Sequence, residues 1–239
     1  MISQKLGKSM KLYYDLHIHS TASPCTDDSM HPTDIAKMAM IKGLDVISVV
    51  DHVCGVNLKV AARAAKECGL LFLPGIEVTT NKGIHMLCYF KEIDVCLNFC
   101  DMIYESLPKK KNFVNYFGRQ YIIDENDTVI GEVEKGLFQK TPFDVLGVIA
   151  VAHEYGGICI PAHINRDILG ILSLYDDISV FNFNTIEVRN GLPIDDKHLQ
   201  NSKVLYNSDA HTIIDIAERI NYINIPEKSI DAVFDYLKY

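Results

Sequence analysis

The stretch Asp15-Leu16-His17-Ile18-His19-Ser20 places two histidines at alternate positions of an apolar segment. Because side chains at positions i and i+2 point to the same side of an extended strand, both imidazoles can face one metal ion. The stretch therefore predicts a metal site on a β-strand, close to the end of that strand.

The same arrangement recurs along the chain, where a His, Asp or Glu ends an apolar run. The other examples are Val50-Asp51-His52, Gly75-Ile76-Glu77, Ile84-His85, Pro161-Ala162-His163 and Asn207-Ser208-Asp209-Ala210-His211. The candidate ligands are His17, His19, His52, Glu77, His85, His163, Asp209 and His211. They exceed the three or four ligands that one ion needs. The excess predicts a cluster of two or three divalent ions, and imidazole with carboxylate suits Zn, Mn or Fe.

Strand and helix patterns alternate through most of the chain. Strands are predicted at about 12–19, 44–50, 70–78, 158–164, 185–188 and 204–208, and helices at about 32–43, 56–68, 142–155 and from 227. Short apolar strands separated by helices favour a parallel sheet covered by helices, with the site at the carboxyl ends of the strands. The predicted fold class is α/β, a small and irregular TIM-like barrel of about seven strands in one domain, 1–239.

The alternation breaks at about 91–140. A turn-like run, Asp124-Glu125-Asn126-Asp127, separates Tyr121-Ile122-Ile123 from Thr128-Val129-Ile130 and predicts a β-hairpin. The segment follows the run that ends in His85 and contains no His. We therefore expect an insertion that covers the mouth of the barrel and selects the substrate, with a dimerisation arm as the alternative.

Composition restricts the compartment and the partners. The net charge is −8, and the longest basic run, Lys109-Lys110-Lys111, is short and is interpreted as a solvated loop, so avid polyanion binding is not indicated. Seven cysteines without a paired CxxC knuckle indicate free thiols in a reducing compartment, which predicts a cytoplasmic protein. The N-terminus lacks an apolar signal-peptide region and no long apolar stretch follows, so neither secretion nor membrane spanning is expected.

The motifs, in their order, resemble those of the PHP (polymerase and histidinol phosphatase) family of metal-dependent phosphoesterases. The resemblance rests on the segments that begin at Asp15, Val50, Pro161 and Ser208, with Gly75-Ile76-Glu77-Val78 and His85 between the second and the third. It implies a distorted (β/α)7 TIM-like barrel of the PHP type and a site for up to three metal ions. The implied ligand sets are His17, His19, Glu77 and Asp209 for one ion, Glu77, His85 and His163 for a second, and His52, His211 and a loop residue for a third.

The loop ligand is the point at which this sequence departs from the family pattern. Family members supply His or Asp there, whereas this chain has Ala22-Ser23-Pro24-Cys25-Thr26-Asp27-Asp28. Asp27 is preferred because its offset from Pro32 matches the family loop, and Cys25 and Asp28 are the alternatives. A carboxylate would favour Mn, and a thiolate would favour Zn.

Two arginines follow candidate strand ends. Arg166 lies three residues after His163, where its guanidinium could grip phosphate oxygens, with a surface salt bridge as the alternative. Arg189 is a second candidate for substrate contact. Asp51 is interpreted as an acceptor that orients a ligand imidazole.

The predicted activity is hydrolysis of a phosphate ester of a small metabolite or nucleotide by a hydroxide that bridges two ions. His163, His211 or a water held by Asp209 would protonate the leaving oxygen. A nuclease acting on DNA or RNA ends is a disfavoured alternative because of the negative charge. A barrel hydrolase of C–N bonds and a non-catalytic metal-binding module are two further alternatives, and the sequence leaves the oligomeric state open.

Overall fold

The computed structural model describes residues 9–199 and 202–239. The prediction about a signal peptide concerns the first eight residues in part, and these lie outside the described ranges. Within those ranges, no helix combines the length and the apolar character needed to cross a membrane.

The described residues form eleven strands and six α-helices, which alternate regularly only in the first part of the chain. The strands are β1 (Met10–Ile18), β2 (Val46–Val49), β3 (Leu71–Phe72), β4 (Gly75–Thr79), β5 (His85–Tyr89), β6 (Tyr121–Ile123), β7 (Val129–Glu132), β8 (Ile158–Pro161), β9 (Thr185–Glu187), β10 (Lys203–Leu205) and β11 (Tyr222–Ile225). The α-helices are α1 (Pro32–Ile41), α2 (Leu58–Glu67), α3 (Ile93–Ser106), α4 (Val114–Phe117), α5 (Val145–Glu154) and α6 (Ile230–Lys238).

Local sequence accounts for the helix ends. Pro32 begins α1, where its missing N–H costs nothing, and Gly43 follows the helix with a φ of 75°, a conformation that glycine adopts without strain. The Asp144 side chain accepts a hydrogen bond from the Gly147 N–H and caps α5. Ser229 caps α6 in the same way.

The strands group into four hydrogen-bonded sheets in the described part of the chain, ordered β11-β1-β2-β3, β4-β5-β8, β9-β10 and β6-β7. Single parallel bridges, Ile18 to Ala210 and His52 to Glu77, connect the first sheet to the following chain segments. The fold is therefore mixed α/β, as predicted, but the sheets do not join into one closed barrel over these residues.

Two strands run against the predicted parallel order. β5 is antiparallel to both β4 and β8, and β11, which the sequence pattern did not predict, is antiparallel to β1. The turn between β4 and β5 is a tight hairpin, in which Thr80 N–H donates to Ile84 and Gly83 has a φ of 91°. The prediction of one strand at 70–78 is also wrong, because Pro74 separates β3 from β4.

The insertion at 91–140 contains α3, α4 and the predicted hairpin, β6 with β7. Its hairpin is anchored on the loop that follows β1, where the Tyr121 N–H donates to the Thr21 carbonyl at 2.7 Å. The buried Asn57 side chain reinforces this contact by donating to the Tyr121 carbonyl and accepting from the Ile123 N–H. The insertion therefore packs beside the loop at 20–31.

Candidate metal centre

Five of the candidate ligands converge on a sixth, Glu77, which is buried in β4. Its two carboxylate oxygens lie 2.8 Å from Nδ1 of His85 and 2.8 Å from Nδ1 of His52. The Nε2 atoms of His17, His19 and His163 each lie 3.4 Å from the same carboxylate. The hairpin explains part of this convergence, because an antiparallel β5 brings its first residue, His85, to the edge where β4 ends.

Asp209 forms the opposite wall of the cluster. Its Oδ1 lies 3.4 Å from Nε2 of both His17 and His19, while its Oδ2 accepts a hydrogen bond of 3.0 Å from Arg166. His211 lies beside it, with Nδ1 2.8 Å from the Asp209 carbonyl oxygen. The structure thus brings together all eight of the residues that end the apolar runs.

Glu187, at the end of β9, supports the cluster and was not predicted. It bonds Nδ1 of His17 at 3.0 Å, accepts the His163 backbone N–H at 2.7 Å and accepts Nδ2 of Asn207 at 2.7 Å. Fixing one ring nitrogen leaves the other to face a metal ion. Its position at the end of an apolar strand, Thr185-Ile186-Glu187, is the signal that could have found it.

Asp51 acts one step farther from the cluster than predicted. Its carboxylate accepts from Ser20 and from the Ser23 hydroxyl at 2.7 Å, and that hydroxyl lies 3.0 Å from Nδ1 of His19. Asp51 therefore orients His19 through Ser23 and does not bond an imidazole itself. Asp15 has a similar task at the other wall, where it accepts from Ser208.

The structure places the Cys25 side chain, rather than that of the preferred loop ligand Asp27, beside His52. The Cys25 sulfur lies 3.5 Å from Nε2 of His52, and both His52 and His211 are within hydrogen-bonding reach of it. Asp27 is exposed and its carboxylate instead accepts the Ser29 N–H at 2.8 Å, closing a turn. The Cys25 thiol, and not the Asp27 carboxylate, therefore lies beside the His52 imidazole.

The charges in the cluster are strongly coupled. Burial would raise the pKa of Glu77, but His85, His17 and His52 hold that pKa well below its usual value. Burial alone would lower the pKa of His17, whereas Glu187, Asp209 and Glu77 raise it well above the usual value. Burial lowers the pKa of His19, and His211 and His52 lower it further. The buried carboxylates therefore require positive charge in the middle of the cluster.

The donor set fits divalent metal ions. Three overlapping groups of three residues could each hold an ion, because the donor atoms within a group lie within 4.8 Å of one another. The groups are His17, His19 and Glu77; His52, Glu77 and His85; and His19, His52 and His211. Both ring nitrogens of His163 are buried and make no hydrogen bond within the described residues, and Nδ1 of His52 and Oε2 of Glu77, although 2.8 Å apart, are not aligned to bond each other. Such unpaired buried atoms are costly unless an ion or water satisfies them.

Two residues of the cluster carry backbone strain. His163 has a φ of 28° and Asp209 a φ of 53°, a region that non-glycine residues rarely occupy. The Glu187 bond to the His163 N–H holds the first of these in place. Strain of this kind concentrates at functional sites, where the surrounding contacts hold a side chain in a required direction.

A cavity of about 700 Å³ opens over the cluster. Its lining includes Cys25, His52, His163, Asp209, Arg166 and Arg189. Arg189 also donates to the Ser208 carbonyl. Residues of the 91–140 insertion are missing from the described lining, so the predicted lid over the mouth is not observed.

Two proteins share local sequence similarity with this chain, whereas no family model matches it. The 5'-3' exoribonuclease of Haemophilus influenzae is 39% identical over 77 residues, which are 31% of this chain and 27% of that protein. The 3',5'-nucleoside bisphosphate phosphatase of Chromobacterium violaceum is 37% identical over 71 residues, which are 30% of this chain and 24% of that protein. The matches thus span about a quarter of the length of each relative.

Solved structures match over nearly the whole chain. The lesion-specific endonuclease Q of Pyrococcus furiosus matches 96% of this chain and 56% of its own, with a TM-score of 0.71 and 17% identity. Endonuclease Q has also been solved with a 27-mer duplex that carries an abasic lesion at the active site, and this structure matches with a TM-score of 0.69 and 17% identity, over 96% of this chain and 57% of its own.

A two-domain protein of Bacteroides vulgatus, described as containing a predicted PHP-like metal-dependent phosphoesterase, matches 96% of this chain and 63% of its own, with a TM-score of 0.58 and 18% identity. These identities are low, so the likeness concerns the fold. The chain therefore shares the mixed α/β fold of a PHP-like protein.

Proposed function

We propose that this protein is a metal-dependent phosphoesterase that acts on a phosphate ester of a nucleotide or of a nucleic-acid end. The observation that carries the proposal is the buried cluster around Glu77, which opens into a cavity with two arginines on its wall. The relatives with local similarity, an exoribonuclease and a nucleoside bisphosphate phosphatase, support phosphate esters of nucleosides as the substrate class.

Divalent ions held by the cluster would activate a water molecule for attack and draw charge from the phosphoryl oxygens. His17, His19, Glu77 and Asp209 would hold one ion, and Glu77, His85 and His163 a second. Glu187 keeps the His17 ring in the orientation that this requires. The number and the identity of these ions are part of what we propose.

Arg166 and Arg189 would bind the substrate phosphate. Their side chains are 39% and 41% exposed, and Arg166 is tied to Asp209 on the cavity wall, so the guanidinium groups are both anchored and accessible. A guanidinium offers paired donors to phosphate oxygens. Where it holds no ion, His211 is the best candidate to protonate the leaving oxygen, because its side chain is 28% exposed at the cavity.

The test is a turnover screen of the Mn- and Zn-loaded protein against nucleoside monophosphates, 3',5'-bisphosphates, short oligonucleotides and p-nitrophenyl phosphate. A double variant, His17→Ala with Asp209→Ala, is the control and should lose both bound metal and turnover. If the fully metal-loaded protein hydrolyses none of these esters, the proposed activity is excluded. Metal retained by the double variant would exclude the proposed ligands.

A nuclease acting on strand ends is the second candidate. The local similarity to a 5'-3' exoribonuclease favours it, and the fold is also that of endonuclease Q, which has been solved with a DNA duplex. In the screen, release of mononucleotides from an oligonucleotide would distinguish this activity from removal of a terminal phosphate.

A further inference from the structure

An exposed segment of the insertion, 108–119, stands apart from the acidic chain around it. From Ser106 to Ile123 the sequence has four basic residues and no Asp or Glu, whereas the whole chain has a net charge of −8. Lys109, Lys110 and Lys111 are exposed and join no ion pair within the described residues. Arg119 is paired with Glu132, so the lysines supply the unbalanced charge.

The same segment exposes aromatic rings. Phe113 is 63% exposed and Tyr116 is 83% exposed, although burying such rings normally stabilises a protein. They belong to one group of rings. The ring centroids of Phe117 and Phe138 lie 4.1 Å apart in a stacked pair, and those of Tyr116 and Phe117 lie 4.7 Å apart. The segment therefore presents a ring platform bordered by lysines.

Buried glutamines hold this platform in place. Gln139 donates to the carbonyl oxygens of Pro108 and Lys110, and Gln120 donates to Val133 and Lys135. The Asn112 side chain closes the loop by donating to the Gly118 carbonyl at 2.7 Å. A backbone held in this way reduces the conformational freedom that is lost when a ligand stacks on the rings.

The platform lies next to the loop that lines the cavity. A Cβ atom on Gly118 would lie 3.2 Å from the carbonyl oxygen of Pro24, the residue before Cys25. The Gly118 end of the platform therefore packs against the loop that supplies Cys25 to the cavity wall.

We propose that 108–119, together with Phe138, binds a single-stranded nucleic acid whose end enters the cavity. Lysines contact the phosphate backbone and exposed rings stack on bases, the combination that single-strand binding uses without reading sequence. Duplex DNA fits less well, because its bases are not free to stack. The inference rests on the proposed function, because the bound strand would be the part of the substrate that lies beyond the reacting phosphate.

The test measures binding without turnover, by fluorescence anisotropy of a labelled single-stranded RNA of about 12 nucleotides with the full chain in chelator. Phe113→Ala with Tyr116→Ala should weaken binding at least tenfold. Replacing Lys109, Lys110 and Lys111 with Ala should also make the negative slope of log K against log salt less steep, by about 2. The matched controls are Tyr239→Ala, at a ring 77% exposed, and a triple Ala variant of Lys37, Lys59 and Lys197.

Equal weakening by the control variants, preference for a duplex, or absence of binding would overturn this surface. Concentration-dependent self-association that Tyr116→Ala abolishes would assign the platform to a second copy instead, and would also overturn it. Hydrolysis of nucleoside phosphates by a protein that does not bind the strand would leave the proposed function intact. Strand binding by a protein without esterase activity would reject the function alone.

Discussion

At the scale of single residues, Cys25 determines the chemistry of one wall of the cavity. It stands with His52 and His211, and its sulfur is 3.5 Å from Nε2 of His52. A thiolate with two imidazoles is a softer donor set than a carboxylate with two imidazoles, and it favours Zn over Mn. If a third ion binds, we expect the sulfur to be one of its ligands.

Cobalt substitution tests this expectation. The Co(II)-loaded protein should show a thiolate-to-metal charge-transfer band in the near ultraviolet, because sulfur bound to Co(II) absorbs there whereas nitrogen and oxygen ligands do not. Cys25→Ser should abolish the band and Asp27→Asn should keep it. A band that survives Cys25→Ser would show that the thiol is not a ligand.

The pH dependence of alkylation gives a second prediction. Enclosure would raise the pKa of the Cys25 thiol, but hydrogen bonds from His211 and His52 lower it to about 6. A lowered pKa means that the reactive thiolate is already formed above pH 6, whereas an unperturbed thiol would need a pH near 8.5. The iodoacetamide reaction of metal-free protein should therefore rise through pH 6 and then level off.

Cys25→Ser removes this phase and serves as its control. Cys54, Cys88 and Cys100 should not contribute near pH 6, because burial raises the pKa of Cys54 to about 12, and burial and neighbouring thiols raise the pKa of the other two well above the usual value. A midpoint near pH 8.5 in the unmodified protein would contradict the prediction.

At the scale of elements, β9 supplies the carboxylate that supports two strands. Glu187 holds the side chain of His17 on β1 and the backbone of His163 after β8. Glu187→Gln keeps the shape but removes the charge, and should lower metal affinity about 10- to 100-fold. Competition with a chelating dye measures this, and Glu227→Gln, an exposed site, is the control. Unchanged affinity in Glu187→Gln would remove its proposed supporting role.

Element patterns explain which parts of the fold could be predicted. The ligand residues were found because each one ends an apolar run, and α1 was found because Pro32 and Gly43 mark its ends. The direction of β5 was not predicted, because the apolar pattern of a buried strand is the same in parallel and antiparallel pairs. The turn residues Asn81-Lys82-Gly83 are the part of the sequence that indicates the antiparallel hairpin. Cys25 was underestimated because loop length, unlike strand period, sets no direction for a side chain.

At the scale of the whole molecule, Asn57 connects the insertion to the metal centre. Its Nδ2 donates to Ser20 at 3.0 Å as well as to Tyr121, and Ser20 in turn bonds Asp51. Asn57→Ala would leave several buried groups unpaired, so we expect a loss of about 2–3 kcal/mol in the free energy of unfolding. Urea denaturation measures the loss, and Asn115→Ala, an exposed site, is the control. A loss below the error of the measurement would show that the insertion is not coupled to the centre in this way.

The bonds between Asp15 and Ser208 join positions 193 residues apart, and Asp15 also accepts the Ala217 N–H across 202 residues. During synthesis, the histidines of the first strand can therefore reach their final neighbours only after residues 208–217 have been made. Long-range pairings of this kind slow folding. Metal capture would then be a late event, and bound metal would report that a molecule has finished folding.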